Sequence, residues 1–240
     1  MEMLTSHAFW VGLLAIIWIN ILLSGDNAVV IAMAARSLPP KQQKQAIIWG
    51  SVAAIVMRVI LTLVAVEMLK WPYLKLVGGV LLFWIAIQLL LTEEDGNDGE
   101  AKVYGSMFAA IRTILIADLV MSLDNVIGVA AAAKGNTVLL VLGLIISIPL
   151  IVFGSTLILK VMERYPIIIT GGAALLGWIA GGMMSTDPAI AAWVTAEAAW
   201  LVDYAVAEII GALLVIAVGK FLEQKGAAAA ASGEVQEIKE

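Results

Sequence analysis

Hydrophobic positions run along this chain in long unbroken blocks, and polar positions gather in short clusters between them. Seven blocks are long enough to cross a hydrocarbon core, which needs roughly 20 apolar residues per helix. They are Ala8–Ala35, Ala46–Leu69, Leu74–Thr92, Val103–Ala133, Val138–Leu159, Ile167–Met184 and Trp200–Val218. Backbone groups in lipid must be satisfied within their own segment, so runs of this length predict helices. Barrel strands would be shorter and would alternate. The fourth block exceeds a simple span, which puts its first turns at the interface or tilts the helix. The opening "MEMLTSH" has no basic region, so the first block reads as a span and not as a cleaved secretory signal.

The blocks repeat. "SGDN" at 24–27 returns as "SLDN" at 122–125, an offset of 98 that also sets Asn20 over Asp118. At an offset of 94, "MLKWPYLKLVGGVLLFWIA" (68–86) aligns with "MERYPIIITGGAALLGWIA" (162–180), matching Pro72 to Pro166, Gly78 to Gly172 and Trp84 to Trp178. The four-residue difference is about one helical turn, which the unlike loops "RSLPPKQQK" and "AKGNT" absorb. The chain is a duplication of three spans. Three is odd, so the second triplet enters from the opposite face and the seventh span has no partner. The expected fold is an all-α polytopic membrane protein of seven transmembrane helices, two inverted three-helix repeats plus one additional helix. Inverted repeats of this kind are typical of secondary transporters, with the substrate at the repeat interface near mid-membrane; a duplicated scaffold without transport is the plainer alternative. The expected organisation is a first repeat (1–92), an acidic cytoplasmic loop (93–102), a second repeat (103–184), an outer loop with the seventh helix (185–222) and a disordered cytoplasmic tail (223–240).

Composition agrees: 62% of residues are hydrophobic, 14% are charged, and the mean hydropathy is +1.01, where a soluble domain carries about a quarter charged residues. Arg36, Lys41, Lys44, Lys102, Lys160, Arg164, Lys220 and Lys225 fall on one side, against Lys70, Lys75 and Lys134 on the other. The richer side should be cytoplasmic. That places the N-terminus outside and the C-terminus inside a bacterial inner (cell) membrane. The net charge of −5 adds little, because acids cluster in the loop "TEEDGNDGEAK" and in the tail.

Acids inside the spans carry the chemistry. An Asp near a helix centre costs about 2.5–3.5 kcal/mol on insertion scales, which makes intramembrane acids functional candidates. Asp26, Asn27, Asp118, Asp124 and Asn125, with Asn20 and the backbone carbonyls near Ser24 and Ser122, can converge if the helix unwinds around Gly25. The set is carboxylate and carboxamide oxygen with no thiolate, since the chain has no Cys and His7 is its only His. Mn²⁺, Mg²⁺ and Ca²⁺ suit such donors. Met121 is either a thioether contact for Mn²⁺ or a packing residue. Buried Asp bonded to Asn or Ser as interhelical glue is the alternative use of these residues. Arg58 is mid-span, and its repeat counterpart is Val152. It either pairs with an intramembrane Asp, as a counter-charge in the absence of metal, or pairs structurally with Glu208. Glu208 is also a minor candidate for a proton or ion relay. "SIP" at 147–149 is expected to kink the fifth span, and "FGS" at 153–155 to allow close helix approach.

The "SGDNA" of 24–28, the "SLDN" of 122–125, the "GLIISIP" of 143–149 and the "GS" of 154–155 resemble the TerC integral membrane family, within the LysE transporter superfamily. The form is similar to its short YjbE/YkoY-type members, over residues 8 to about 222. The resemblance implies a Mn²⁺ exporter, and it implies metal-site roles for Asp26, Asn27, Asp124 and Asn125, with Asp118 beside them. The expected partners are the lipid bilayer, a divalent cation as substrate rather than a resident cofactor, and protons as a coupling ion. A homo-oligomer is compatible and nucleic acid is not expected. Export of Ca²⁺ or of an organic cation, and a non-transporting assembly partner, remain the alternatives. No Ser-His-Asp set, HExxH or P-loop points to an enzyme or an ATP-driven pump.

Overall fold

The computed structural model describes the backbone of residues 7–22, 24–68, 71–91, 107–133 and 136–237. Helices account for nearly all of it: α1 (His7–Leu22), α2 (Gly25–Ala35), α3 (Pro40–Met68), α4 (Leu74–Leu91), α5 (Met107–Ala133), α6 (Thr137–Arg164) and α7 (Ile167–Ser185). Two short helices, α8 (Ala191–Glu197) and α9 (Trp200–Asp203), lead into α10 (Val206–Glu237). There is no strand among the described residues. Four of the helical stretches described, Pro40–Thr62, Leu74–Leu91, Val138–Arg164 and Ile167–Ser185, are long and apolar enough to cross a membrane. The protein is an all-helical membrane protein.

Local chemistry sets the helix ends. Pro40 opens α3 at the position where its missing N–H costs nothing. The Asn136 side chain caps α6 by accepting the Leu139 N–H at 3.1 Å, and the Tyr165–Pro166 step separates α6 from α7. Leu74 follows Tyr73, whose φ of 69° is left-handed and strained for a residue with a side chain. The strain is held from outside the helix. Asp187, in the turn after α7, accepts the N–H groups of Tyr73 at 2.9 Å and Leu76 at 3.0 Å. A carboxylate at a helix start satisfies orphan donors and meets the positive end of the dipole. At the other end of α4, Arg36 donates to the Leu89 carbonyl at 2.7 Å.

The first expected span is not one helix. Ser24, with φ −114° and ψ 1°, separates α1 from α2. The interruption falls just before Gly25, which itself begins α2 and has open space where a side chain would point. The corresponding stretch of the second half does not break, and α5 runs unbroken through Asp118 and the "SLDN" motif. The helix α6 likewise continues through Pro149. The seventh expected span starts later than its hydrophobic block, because α9 ends at Asp203 and Ala205 takes a φ of 52°. It then extends to Glu237, so most of the stretch expected to be a disordered tail is helical; its alanine run, Ala227–Ala231, has the highest helix propensity of any residue type. The acidic loop at 93–102 lies outside the described residues.

In the core, α3 packs on α5, α6 packs on both α1 and α2, and α4 packs on α7. The helices α3 and α6 touch, as do α5 and the broken α1–α2 pair. Exchange α1–α2 with α5, α3 with α6, and α4 with α7: the α3–α5 and α6–(α1–α2) pairings turn into each other, and the remaining three map onto themselves. Gly154 of α6 faces Ala28 of α2, but a Cβ placed on it would make an ordinary contact at 3.8 Å, so the approach expected of the "FGS" stretch does not depend on that glycine. The helix α10 lies against α7 and α4. Its contact with α7 is backbone on backbone, since a Cβ placed on Gly211 would stand 2.2 Å from the Gly177 carbonyl oxygen. Small residues at helix seams allow this approach where no hydrophobic force drives association.

Candidate functional site

Ser24, at the break between α1 and α2, lies beside Arg58 of α3, and a group of buried polar side chains meets there. Arg58 of α3 is 1% exposed. Its guanidinium forms an ion pair with Asp118 of α5, which is 6% exposed. The Arg58 Nε also donates to the Ser122 Oγ at 3.0 Å, and its Nη1 reaches the Ser24 Oγ at 3.5 Å. Ser122 in turn donates to the second Asp118 oxygen at 3.3 Å. Ser24 and Ser122 are the serines of the two repeated motifs. One buried guanidinium therefore bridges both halves of the duplication.

Helix geometry explains why these groups meet. Asp118 and Ser122 are four residues apart on continuous α5 and share a face, which Asn125 extends by one more turn. Position 124 is rotated by about 120° from position 118. In the first half, the interruption at Ser24 frees the side chains beside it from that constraint. Asp26 stands in the first turn of α2, where its Oδ1 accepts the Asn27 N–H at 2.7 Å. The positive end of a helix dipole offsets part of the cost of a carboxylate there. Asp26 lies within electrostatic reach of both Arg58 and Asp118. It is only partly buried and adjoins the open space at Gly25, whereas Asp118 and Asn27 are buried. Asp26 is thus the less buried of the two carboxylates.

Of the sequence-predicted residues, the structure brings Asp118, Asp26 and both motif serines around Arg58, with Asn27 buried next to them. Asn125 is half-buried on α5. Asn20 and Asp124 belong to α1 and α5, and their side chains lie outside the described residues. No group of three or more His, Cys, Asp or Glu side chains is placed to hold a metal ion among the described residues. Met121 is buried in the core. Of the two pairings open to Arg58, the structure shows the one with an intramembrane Asp. Glu208 instead lies on α10 against Gly182 of α7, with its Oε2 buried and unbonded among the described residues.

Sequence reasoning named Ser24 and Ser122 for their backbone carbonyls and missed that their hydroxyls take part. Their place at the head of each "DN" motif was the available signal. It also passed over Asp187, fully buried and bonded to three backbone N–H groups, that of Ala189 at 2.7 Å being the third. Burial pushes this carboxyl up, but the N–H groups outweigh it and hold it below the ordinary aspartate value.

The family model of the "Integral membrane protein TerC family" matches residues 5–227. The uncharacterized membrane protein YjbE of Bacillus subtilis (strain 168) is 46% identical over 181 residues, 75% of this chain and 82% of that protein. The uncharacterized membrane protein YceF of the same organism is 27% identical over 75% of this chain and 72% of its own. The UPF0053 inner membrane protein YoaE of Escherichia coli (strain K12) is 28% identical over 70% of this chain, which corresponds to 36% of that longer protein. No solved structure matches. The chain belongs to the TerC family of integral membrane proteins.

Proposed function

We propose that this protein is a transporter that exports divalent cations, Mn²⁺ foremost, by alternating access through the centre where "SGDN" and "SLDN" meet. One observation carries the reading. The hydroxyls of the two motif serines and the carboxylate of Asp118, one turn before "SLDN", converge in the helical core on a position already filled by a cation, the Arg58 guanidinium. A buried centre built to hold positive charge is what an intramembrane cation pathway needs. Its donors are oxygens, which suit hard and borderline divalent ions. A half-helix junction beside it fits the way transporters expose backbone groups to an ion. Asp26, Asn27, Asp118, Asp124, Asn125 and Asn20 supply the ligands in the loaded state.

The two triplets are inverted repeats, with α10 as the seventh span. Their duplicated sequence and the exchangeable helix pairings support this. Lysine and arginine asymmetry puts the N-terminus outside and the C-terminus in the cytoplasm of a bacterial inner membrane. Protons serve as the coupling ion. The test is intracellular Mn²⁺ under manganese stress in cells carrying wild type, Asp26→Asn or Asp124→Asn. Wild type should lower it and the variants should not; equal protection by all three would sink the reading.

The guanidinium itself favours a second reading. A centre that fits the head of Arg58 has the size and charge for an organic cation, and arginine or lysine would then be the cargo. Efflux of the amino acids without efflux of Mn²⁺ from the same vesicles would select that reading.

A further inference from the structure

Arg58 has no equivalent in the other half of the duplication, where Val152 stands, and its partner Asp118 corresponds to the neutral Asn20. The two departures from repeat symmetry therefore face each other. They do so at the junction of the motifs, because the same guanidinium takes Asp118, Ser122 and Ser24 together. A simple structural ion pair would need only Asp118. An arginine that reaches the repeat-related serines as well occupies the place where a cargo cation would contact both halves at once.

We propose that Arg58 is a tethered competitor of the transported cation: it fills the centre in this conformation, and it must leave Asp118 before the cargo binds. The inference rests on the cation-site reading above and adds the order of events to it. With Arg58 seated, Asp118 is neutralised and Asp26, half-buried beside the exposed Gly25, is a carboxylate left for an arriving ion. Asp26 makes the first contact, and the ion's second charge then competes with the guanidinium for Asp118. Loss of the ion lets Arg58 return, so Asp118, the buried carboxylate, is never left bare in the core, where its burial would be most costly. The asymmetry also has a use, since one tethered cation per duplicated chain gives one competitor for one site.

The experiment is Mn²⁺ binding to the full chain in nanodiscs, followed by electron paramagnetic resonance, for wild type, Arg58→Gln and Arg58→Lys. A competitor predicts that Arg58→Gln binds Mn²⁺ at least about tenfold more tightly, a gain of about 1.4 kcal/mol, while vesicle efflux falls because release slows. Lysine keeps the charge but lacks the planar fork that spans Asp118 and two serines, so Arg58→Lys should fall between Gln and wild type. An arginine that only supports the structure predicts the opposite, weaker binding in both variants, and that order would overturn the proposal. If Arg58→Gln fails to fold, the direction of the Arg58→Lys shift decides alone. Binding by wild type with no shift in either variant refutes the competitor and leaves the cation site standing. No Mn²⁺ binding by any of the three refutes both.

Discussion

The Arg58–Asp118 pair can be tested with the protein's own alternatives, because the other half of the chain carries Val and Asn at the matching positions. Asp118→Asn keeps the shape but leaves a guanidinium buried with a neutral partner. Arg58→Val leaves a carboxylate with only the Ser122 hydroxyl, near a second carboxylate at Asp26. Both groups are almost fully shielded from solvent, so little of their attraction is screened, and breaking such a pair costs about 3–5 kcal/mol. Asp26 supplies Arg58 with a second negative charge, which puts Asp118→Asn near the low end, about 3 kcal/mol, and Arg58→Val higher, about 4 kcal/mol. The double variant has no stranded charge and loses mainly the packing of the arginine stem, about 2–3 kcal/mol. The coupling is then about 4–5 kcal/mol, within the range measured for close charge pairs. Reversible unfolding in bicelles measures it. In a chain of this size about 3 kcal/mol corresponds to roughly 6–12 °C in Tm. Two single variants that each change stability by under about 0.5 kcal/mol, and that add in the double, would refute the claim that these charges depend on one another.

Other parts of the fold give independent expectations. Asp187→Asn should destabilise the chain by about 1–3 kcal/mol at neutral pH by weakening the bonds to Tyr73, Leu76 and Ala189. Its carboxyl is held below its ordinary value when folded, so its stabilisation is complete above the unfolded value of about 3.9 and is lost as pH falls through the folded one. Wild type and Asp187→Asn should therefore converge in thermal scans taken at progressively lower pH, starting below about 4. Gly211→Ala drives a methyl group into the Gly177 carbonyl and should cost about 1–3 kcal/mol by overpacking. Gly25→Ala meets nothing within 4 Å, so the same unfolding assay should place it within about 0.5 kcal/mol of wild type. Deleting residues 226–240 should leave Mn²⁺ efflux from vesicles unchanged, whereas abolition would favour a docking role for the C-terminal stretch.

Much of the architecture was legible because membrane helices write themselves in composition. The boundaries of α4 and α7 follow their apolar blocks within a residue or so, since leaving lipid and leaving the helix coincide there. At α3 they do not, and the helix continues past the apolar block into polar Lys41, Gln42 and Lys44. The sequence offers Gly25 as the place where the helix could unwind; the break falls one residue earlier, at Ser24, and Gly25 opens the next helix. The second half has no matching break: "SLDN" carries Leu123 where "SGDN" carries Gly25, and leucine favours continuing a helix. The convergence of Asp26 and Asp118 was suggested by the duplication. The centre of that convergence was not, since no local pattern in α3 reveals that Arg58 reaches two serines 34 and 64 residues away in sequence. The Asp187 clamp was hidden for the same reason: its partners lie more than a hundred residues upstream.

The most direct test of the central claim is flux. The purified chain is reconstituted into liposomes holding a Mn²⁺-quenched fluorophore, and Mn²⁺ is added outside with and without an opposing proton gradient. Wild type should quench the dye at a rate that saturates with Mn²⁺ and responds to the gradient, while Asp26→Asn and Asp124→Asn, reconstituted to the same density, should match protein-free liposomes. Equal, saturable quenching by wild type and both variants would contradict transport through the Asp-Asn centre.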